Sequence, residues 1–221
     1  MFPPVRVNSR AGEEYREGTF MIEHKIDMFR FGWELDKIKE KPVPSPCTLF
    51  YGSSTFAIWK EIETIFADYN AVNAGFGGST SDEALFHYEA VAKPFAPKVL
   101  LWYFADNEPV CGYTAEETEE LFEATWNRFR NDFPEIKIIS VATKTSPARD
   151  EYAEYVETVN AWQRKYAAEH DFFTLIETND ICKKDGVYQK ENYLPDELHF
   201  GPKGYEILEK RIKTSLNSIW N

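Results

Sequence analysis

Basic residues are scarce in this chain: 25 Lys and Arg stand against 37 Asp and Glu, a formal net charge of −12. That charge argues against a nucleic-acid or anionic-membrane partner, because both would be repelled over much of the surface; the excess acid serves solubility. Cysteine is scarce as well. Cys47, Cys111 and Cys182 lie far apart with no CxxC pair, so neither a zinc site nor a disulfide framework is indicated and the three read as reduced thiols. No apolar run is long enough to span a bilayer, and the opening stretch MFPPVRVNSRAGEEYREG has no apolar core of a signal peptide, so a cytoplasmic location is expected. Internal repeats and low-complexity tracts are also missing.

What is present is apolar and aromatic. With 221 residues, 43% of them hydrophobic, the chain suits one domain with a sizeable core. Apolar runs alternate with segments of helical period, the pattern of a parallel sheet covered by helices on both faces. The predicted strands are Thr48 to Tyr51, Asn70 to Asn73, Val99 to Phe104, Lys137 to Val141 and Phe173 to Ile176. Phe122, Trp126, Phe129 and Phe133 mark one helical stripe, and Tyr155, Val159, Trp162 and Tyr166 another; both are read as core-facing. Thr114 with Glu117 forms a capping box, and Pro202 fits the first turn of a last helix carrying Tyr205, Leu208 and Ile212. Ile22, Ile26, Phe29 and Trp33 predict an N-terminal helix ahead of Pro42, Pro44 and Pro46. Residues 1–46 are therefore taken as a helical flank and Pro-rich linker, and residues 47–221 as the main domain.

Four short segments carry chemistry: FYGSST at Phe50 to Thr55, NAGFGGST at Asn73 to Thr80, YFADNE at Tyr103 to Glu108, and DELH at Asp196 to His199. Ser54, Gly78 and Asn107 each fall just beyond the carboxyl end of a predicted strand, where open parallel sheets place their ligands. A serine hydroxyl is a weak nucleophile until a base takes its proton, and His199 is the best placed of only four histidines. A carboxylate three residues earlier, Asp196, can hold that imidazole in one tautomer. Attack on an ester creates an oxyanion, and losing one preorganised N–H donor costs about 2.7–4 kcal/mol. The backbone N–H groups of Ser54 and Gly78 and the Asn107 amide are the candidate donors.

Each segment also has a plainer reading. Gly, Ser and Thr after a strand are ordinary turn formers, Asn107 alone reads as a turn residue, and His199 alone as a cap or packing group. NAGFGGST lacks the third glycine of GxGxxG and the lysine of a P-loop. Phe56 replaces the last glycine of GxSxG, so that hydrolase signature is excluded. His24, His87 and His170 fall in predicted helices or at a helix end and are read as structural.

Taken in order, the four segments resemble the blocks of the SGNH hydrolases, or GDSL-like lipase/acylhydrolase family, from about Cys47 to Leu216. The resemblance implies an α/β fold of three α/β/α layers around a flavodoxin-like, five-stranded parallel sheet. It implies a Ser54, His199, Asp196 triad with Ser54, Gly78 and Asn107 as oxyanion hole, and hydrolysis of esters or thioesters with no metal or organic cofactor. The chain is also similar to a branch in which GSS replaces GDS and a TSPAR-like loop follows the fourth strand, here Thr145 to Arg149. Three departures stand out: Ser53 for the usual aspartate, Phe104 and Ala105 for a small residue and glycine, and Glu108 where aspartate is common. A side chain at Ala105 is expected to shift the turn that presents Asn107.

The expected activity is hydrolysis of small O-acyl esters, above all O-acetyl esters of carbohydrates or small alcohols, through an acyl-enzyme on Ser54. Thioesterase or lysophospholipase activity is the enzymatic alternative. A binding protein that kept the crevice and lost turnover is the alternative from another class. The expected partner is a small-molecule ester; the oligomeric state stays open.

Overall fold

The computed structural model describes residues 24–220. Its frame is a parallel sheet of five strands: β1 (Thr48–Gly52), β2 (Ala71–Asn73), β3 (Val99–Tyr103), β4 (Lys137–Val141) and β5 (Phe173–Ile176). They lie in the order β2-β1-β3-β4-β5. The register sets Thr48 against both Ala71 and Val99, and Gly52 against Tyr103. β1 and β3 are buried along their whole length, as strands covered on both faces must be. The predicted strands agree with these bounds to within a residue at each end.

Helices cover both faces, giving three layers. On one face pack α1 (Gly32–Lys39), α4 (Ser81–His87), α5 (Ala115–Asp132) and α6 (Ala153–Glu169); on the other pack the short α2 (Ser54–Ala57), α3 (Ile62–Ile65) and α7 (Asn179–Cys182), with α8 (Pro202–Ile219). Alternation along the strands divides the core: Leu49, Tyr51, Leu100 and Trp102 face the first helical layer, and Phe50, Val99, Leu101 and Tyr103 the second. Both predicted aromatic stripes serve that core. Trp126 of α5 is fully buried against Trp102, Phe122, Tyr166 and Phe173 and stacks on Trp162 of α6 at 5.5 Å. The capping box at Thr114 and Glu117 opens α5, and Pro202 opens α8.

The N-terminal helix differs from its prediction. Ile22 lies outside the described residues; among the rest, Ile26 and Phe29 precede the helix, which starts only at Gly32. Phe29 is 71% and Trp33 63% exposed, while Phe31, Leu35 and Ile38 enter the core. The helical spacing of the predicted stripe was coincidental, and the buried face lies two to five residues further on. His24, placed in that predicted helix, lies instead in irregular chain ahead of it.

These burials separate two tryptophans by experiment. Trp126→Ala is expected to lower the unfolding free energy by about 3–5 kcal/mol through the cavity it leaves. Trp33→Ala is expected to stay within about 0.5 kcal/mol of the parent, as for other surface changes. Denaturant unfolding of both variants checks the contrast.

Candidate active site

β1 ends at Gly52, and the chain turns at once into α2, whose first residue is Ser54. A Cβ at Gly52 would stand 2.8 Å from the Tyr103 carbonyl oxygen, so only glycine lets the two strand ends approach this closely. The Ser53 N–H donates to that same carbonyl at 3.1 Å. Ser54 thus stands in the first turn of a helix, where its own N–H has no intrahelical acceptor.

The second segment follows β2. Gly78 has φ +83°, in the left-handed region that glycine enters without a steric cost. Thr80 then caps α4 in a full capping box with Glu83. The buried Glu83 carboxylate also binds Arg30, whose Nη2 donates to the Gly78 carbonyl at 2.8 Å. Neither the Ser54 nor the Gly78 backbone N–H has a hydrogen-bond acceptor among the described residues.

The turn after β3 carries the third segment. Ala105 is fully buried with φ +78°, a conformation that costs an L-residue roughly 1–2 kcal/mol. The turn is held around it. Thr143 Oγ1 donates to the Phe104 carbonyl at 2.8 Å, the Asp106 carboxylate accepts from Tyr103 and from the buried Lys144, and Arg149 Nη1 donates to the Asp106 carbonyl. Asn107 is tied into this corner by its side chain: its Nδ2 donates to the Ser79 carbonyl at 2.8 Å and to Ser53 Oγ at 3.3 Å, and its Oδ1 accepts from Arg149 Nη1 at 3.1 Å. The Ser53 hydroxyl thereby offers the Asn107 amide an uncharged acceptor.

The fourth segment is a local turn ahead of α8. Asp196 Oδ1 accepts from the Leu198 and His199 N–H groups at 2.9 and 3.0 Å, and Oδ2 lies 2.7 Å from His199 Nδ1. Partial burial pushes the Asp196 carboxyl up, but the hydrogen bonds from the His199 ring and from the two amides outweigh it and bring the pKa down to about 2. His199 Nε2 lies 3.0 Å from Ser54 Oγ, across 145 residues of sequence. Hydroxyl, imidazole and carboxylate stand in series, an arrangement through which a proton can pass from oxygen to ring while the carboxylate stays charged.

Ser54, Gly78, Asn107 and His199 line one cleft of about 310 Å³ with Ile58, Gly77, Asp106, Arg149 and Leu198. Tyr51, Phe56 and Trp59 are core residues and take no part in its wall. The other histidines lie elsewhere: His24 pairs with Asp82, His87 binds the Met28 carbonyl, and His170 stacks on Tyr166. Among the described residues, no group of three or more His, Cys, Asp or Glu is gathered as a metal ion requires. Sequence reasoning assigns no role to Arg30, which here binds the Glu83 carboxylate and the Gly78 carbonyl, or to Arg149, whose partners are the Asp106 carbonyl and the Asn107 amide oxygen. The capping pattern TSDE at Thr80 to Glu83 was the one available signal for the Arg30 contact.

The profile of the GDSL-like lipase/acylhydrolase family matches residues 48–207. The chain belongs to that family. Membership implies hydrolysis of small-molecule esters. No curated protein sequence matches the chain. Among solved structures it is similar to a GDSL-like lipase from Bacteroides thetaiotaomicron VPI-5482, at 16% identity and TM-score 0.74 over 87% of this chain and 99% of that one. It is likewise similar to the lipase/acylhydrolase from Enterococcus faecalis, at 17% identity and TM-score 0.67 over 78% and 96%. A carbohydrate esterase family 3 structure from Talaromyces cellulolyticus gives 12% and 0.61 over 78% and 97%. At such identities the likeness is one of fold, and the sheet described above is the fold shared. Among the described residues no helix is long and apolar enough to cross a membrane.

One of this chain's departures from the family pattern has a measurable signature. Glu108 is fully buried and accepts from the Ser81 and Asn107 N–H groups. Burial pushes its carboxyl up to about 6, with the Ser81 amide pulling the other way. Below the ordinary carboxylate value it is protonated both folded and unfolded. Between that value and 6 only the folded state keeps the proton, so the Glu108 contribution to stability falls as pH rises and is flat above. Glu108→Gln is expected to remove this fall: between pH 4.5 and 7 the parent should lose about 2 kcal/mol relative to the variant. Denaturant unfolding at the two pH values measures it.

Proposed function

We propose that the chain is a serine esterase that removes small acyl groups, chiefly acetyl, from a carbohydrate or small alcohol, and that it needs no cofactor. The observation that carries the reading is the relay from Ser54 Oγ through His199, 3.0 Å away, to Asp196, 2.7 Å from the ring. In this mechanism His199 Nε2 takes the Ser54 proton as Oγ attacks the acyl carbon, and the carbonyl electron pair moves onto its oxygen. The Ser54 and Gly78 N–H groups receive that oxyanion, joined by the Asn107 N–H now spent on the 3.3 Å contact to Ser53. Collapse expels the alcohol, which takes the proton from Nε2. Water, deprotonated by the same ring, then frees the acid and Ser54. Residues 47–221 form the catalytic domain in this reading, and residues 1–46 its flank.

The reading is tested first by chemistry at Ser54. A fluorophosphonate probe should label Ser54, and Ser54→Ala and His199→Ala should each bring ester turnover near background while folding normally. Their losses should not add, because the two act as a unit. Asn107→Ala should lower kcat by roughly 100-fold to 1,000-fold with a smaller change in KM. A Ser54→Ala variant keeping a tenth of the activity would remove the assignment. Absence of labelling would favour a binding protein.

Substrate size is the second test. The connections after Gly78 and Asn107 reach their helices at Ser81 and Ala115 within a few residues, too short to fold into a lid over the cleft. A long acyl tail gains about 0.8 kcal/mol for each methylene it buries, and an uncovered cleft offers it little. A neighbouring groove of about 420 Å³, joined at Ile58 and walled by Trp59, Ile65, Leu194 and Phe200, supports the second reading, lysophospholipase or thioesterase activity with the tail laid there. Over a series of p-nitrophenyl esters, kcat/KM is expected to peak at two to four carbons. A maximum at eight or more would assign the groove to the tail.

A further inference from the structure

Arg149 is an unneutralised cation in the cleft. It lines the same wall as Ser54, Gly78, Asn107 and His199. Its Nη1 spends both hydrogens on the Asp106 carbonyl and Asn107 Oδ1. A guanidinium carries five N–H donors, so three remain, on Nε and Nη2, and these have no acceptor among the described residues. The nearby carboxylates are engaged elsewhere: Asp106 with Lys144 and Tyr103, Asp196 with His199, and Glu83 with Arg30. No ion pair of Arg149 is found among the described residues, in a chain whose acidic groups outnumber its basic ones by 37 to 25.

We infer that Arg149 is a specificity residue that binds a carboxylate carried by the substrate, on the alcohol or acyl portion, while Ser54 attacks the ester; this rests on the esterase reading above. Two contacts to the protein fix the guanidinium, so its Nε–Nη2 edge is preorganised for the two parallel N–H···O bonds a carboxylate accepts. One positive charge on the wall matches one negative charge on the ligand. A dianionic phosphate would meet the same single cation and a stronger repulsion from the net charge of −12. Arg149 also steadies Asn107, so its replacement will slow every ester to some degree. The informative quantity is therefore the preference between two esters.

The test pairs an O-acetyl hydroxy acid with its O-acetyl hydroxy amide, which share size and differ in charge. The parent protein is expected to favour the carboxylate at least 10-fold in kcat/KM, expressed largely in KM. Arg149→Gln should bring the ratio to about one, and Arg149→Lys, which keeps the charge but loses the fork, should fall between. A parent without the preference overturns the assignment. So does an Arg149→Gln variant that slows both esters alike and keeps the ratio, for that is the signature of a residue serving only to position Asn107. Turnover of the amide without preference leaves the esterase reading standing and defeats this one alone. Failure of both esters and of p-nitrophenyl acetate, with no probe label on Ser54, defeats the two together.

Discussion

The hydrogen bond from the Ser53 N–H to the Tyr103 carbonyl closes the ladder between β1 and β3, and the site depends on it. In the order β2-β1-β3-β4-β5 the chain winds to one side after β1 and to the other from β3 on, which opens a crevice beyond the ends of these two strands. Ser54 leaves one lip and Asn107 the other. The Asn107 amide spans the gap to Ser53 and Ser79, so the first three segments form one frame, against which His199 is set. Tyr205 of α8 donates to the Thr55 carbonyl at 2.8 Å, tying the histidine-bearing end of the chain to the same corner.

Charge is distributed around that frame with little waste. The buried Lys144 and Asp106 satisfy each other beneath the Asn107 turn, and losing one partner of such a pair typically costs 3–5 kcal/mol because the other stays buried and uncompensated. The buried Glu83 is neutralised by Arg30 and serves at once as helix cap and as anchor for the Gly78 loop. Glu108, with backbone amides for partners and no cation, keeps its proton to a higher pH. The acids around the cleft are thus accounted for within the protein, and Arg149 is left facing whatever enters.

The sheet was legible in the sequence because its strands are apolar on both faces and bounded by breaks, and α5 and α8 because their caps and stripes agree. The N-terminal helix was not: helical spacing at Ile26, Phe29 and Trp33 says nothing about whether a core waits on that side, and tertiary packing chose Leu35 and Ile38 instead. Ser54 and His199 were found through their segments, but the 3.0 Å between them comes from the topology. Arg149 read only as part of a loop, and Lys144 drew no reading; contacts to carbonyl oxygens and a buried carboxylate leave no spacing to read.

Ala105 illustrates how such a frame tolerates a locally unfavourable residue. A left-handed alanine costs on the order of 1 kcal/mol, so in an unconstrained loop it would relax and carry Asn107 with it. Here relaxation would have to break the Thr143 bond on one side of it and the Lys144, Tyr103 and Arg149 bonds on Asp106 on the other. Each net hydrogen bond contributes about 0.5–1.5 kcal/mol, and those to charged groups more, so their sum exceeds the strain. Backbone strain of this size persists only where the surroundings over-determine it. The Asn107 amide consequently keeps its place through contacts contributed by the loop after β4, the loop that also carries Arg149. On the proposed mechanism and recognition, the geometry of the oxyanion site and the reading of the substrate's charge are set by one loop, and a change in either is felt by the other.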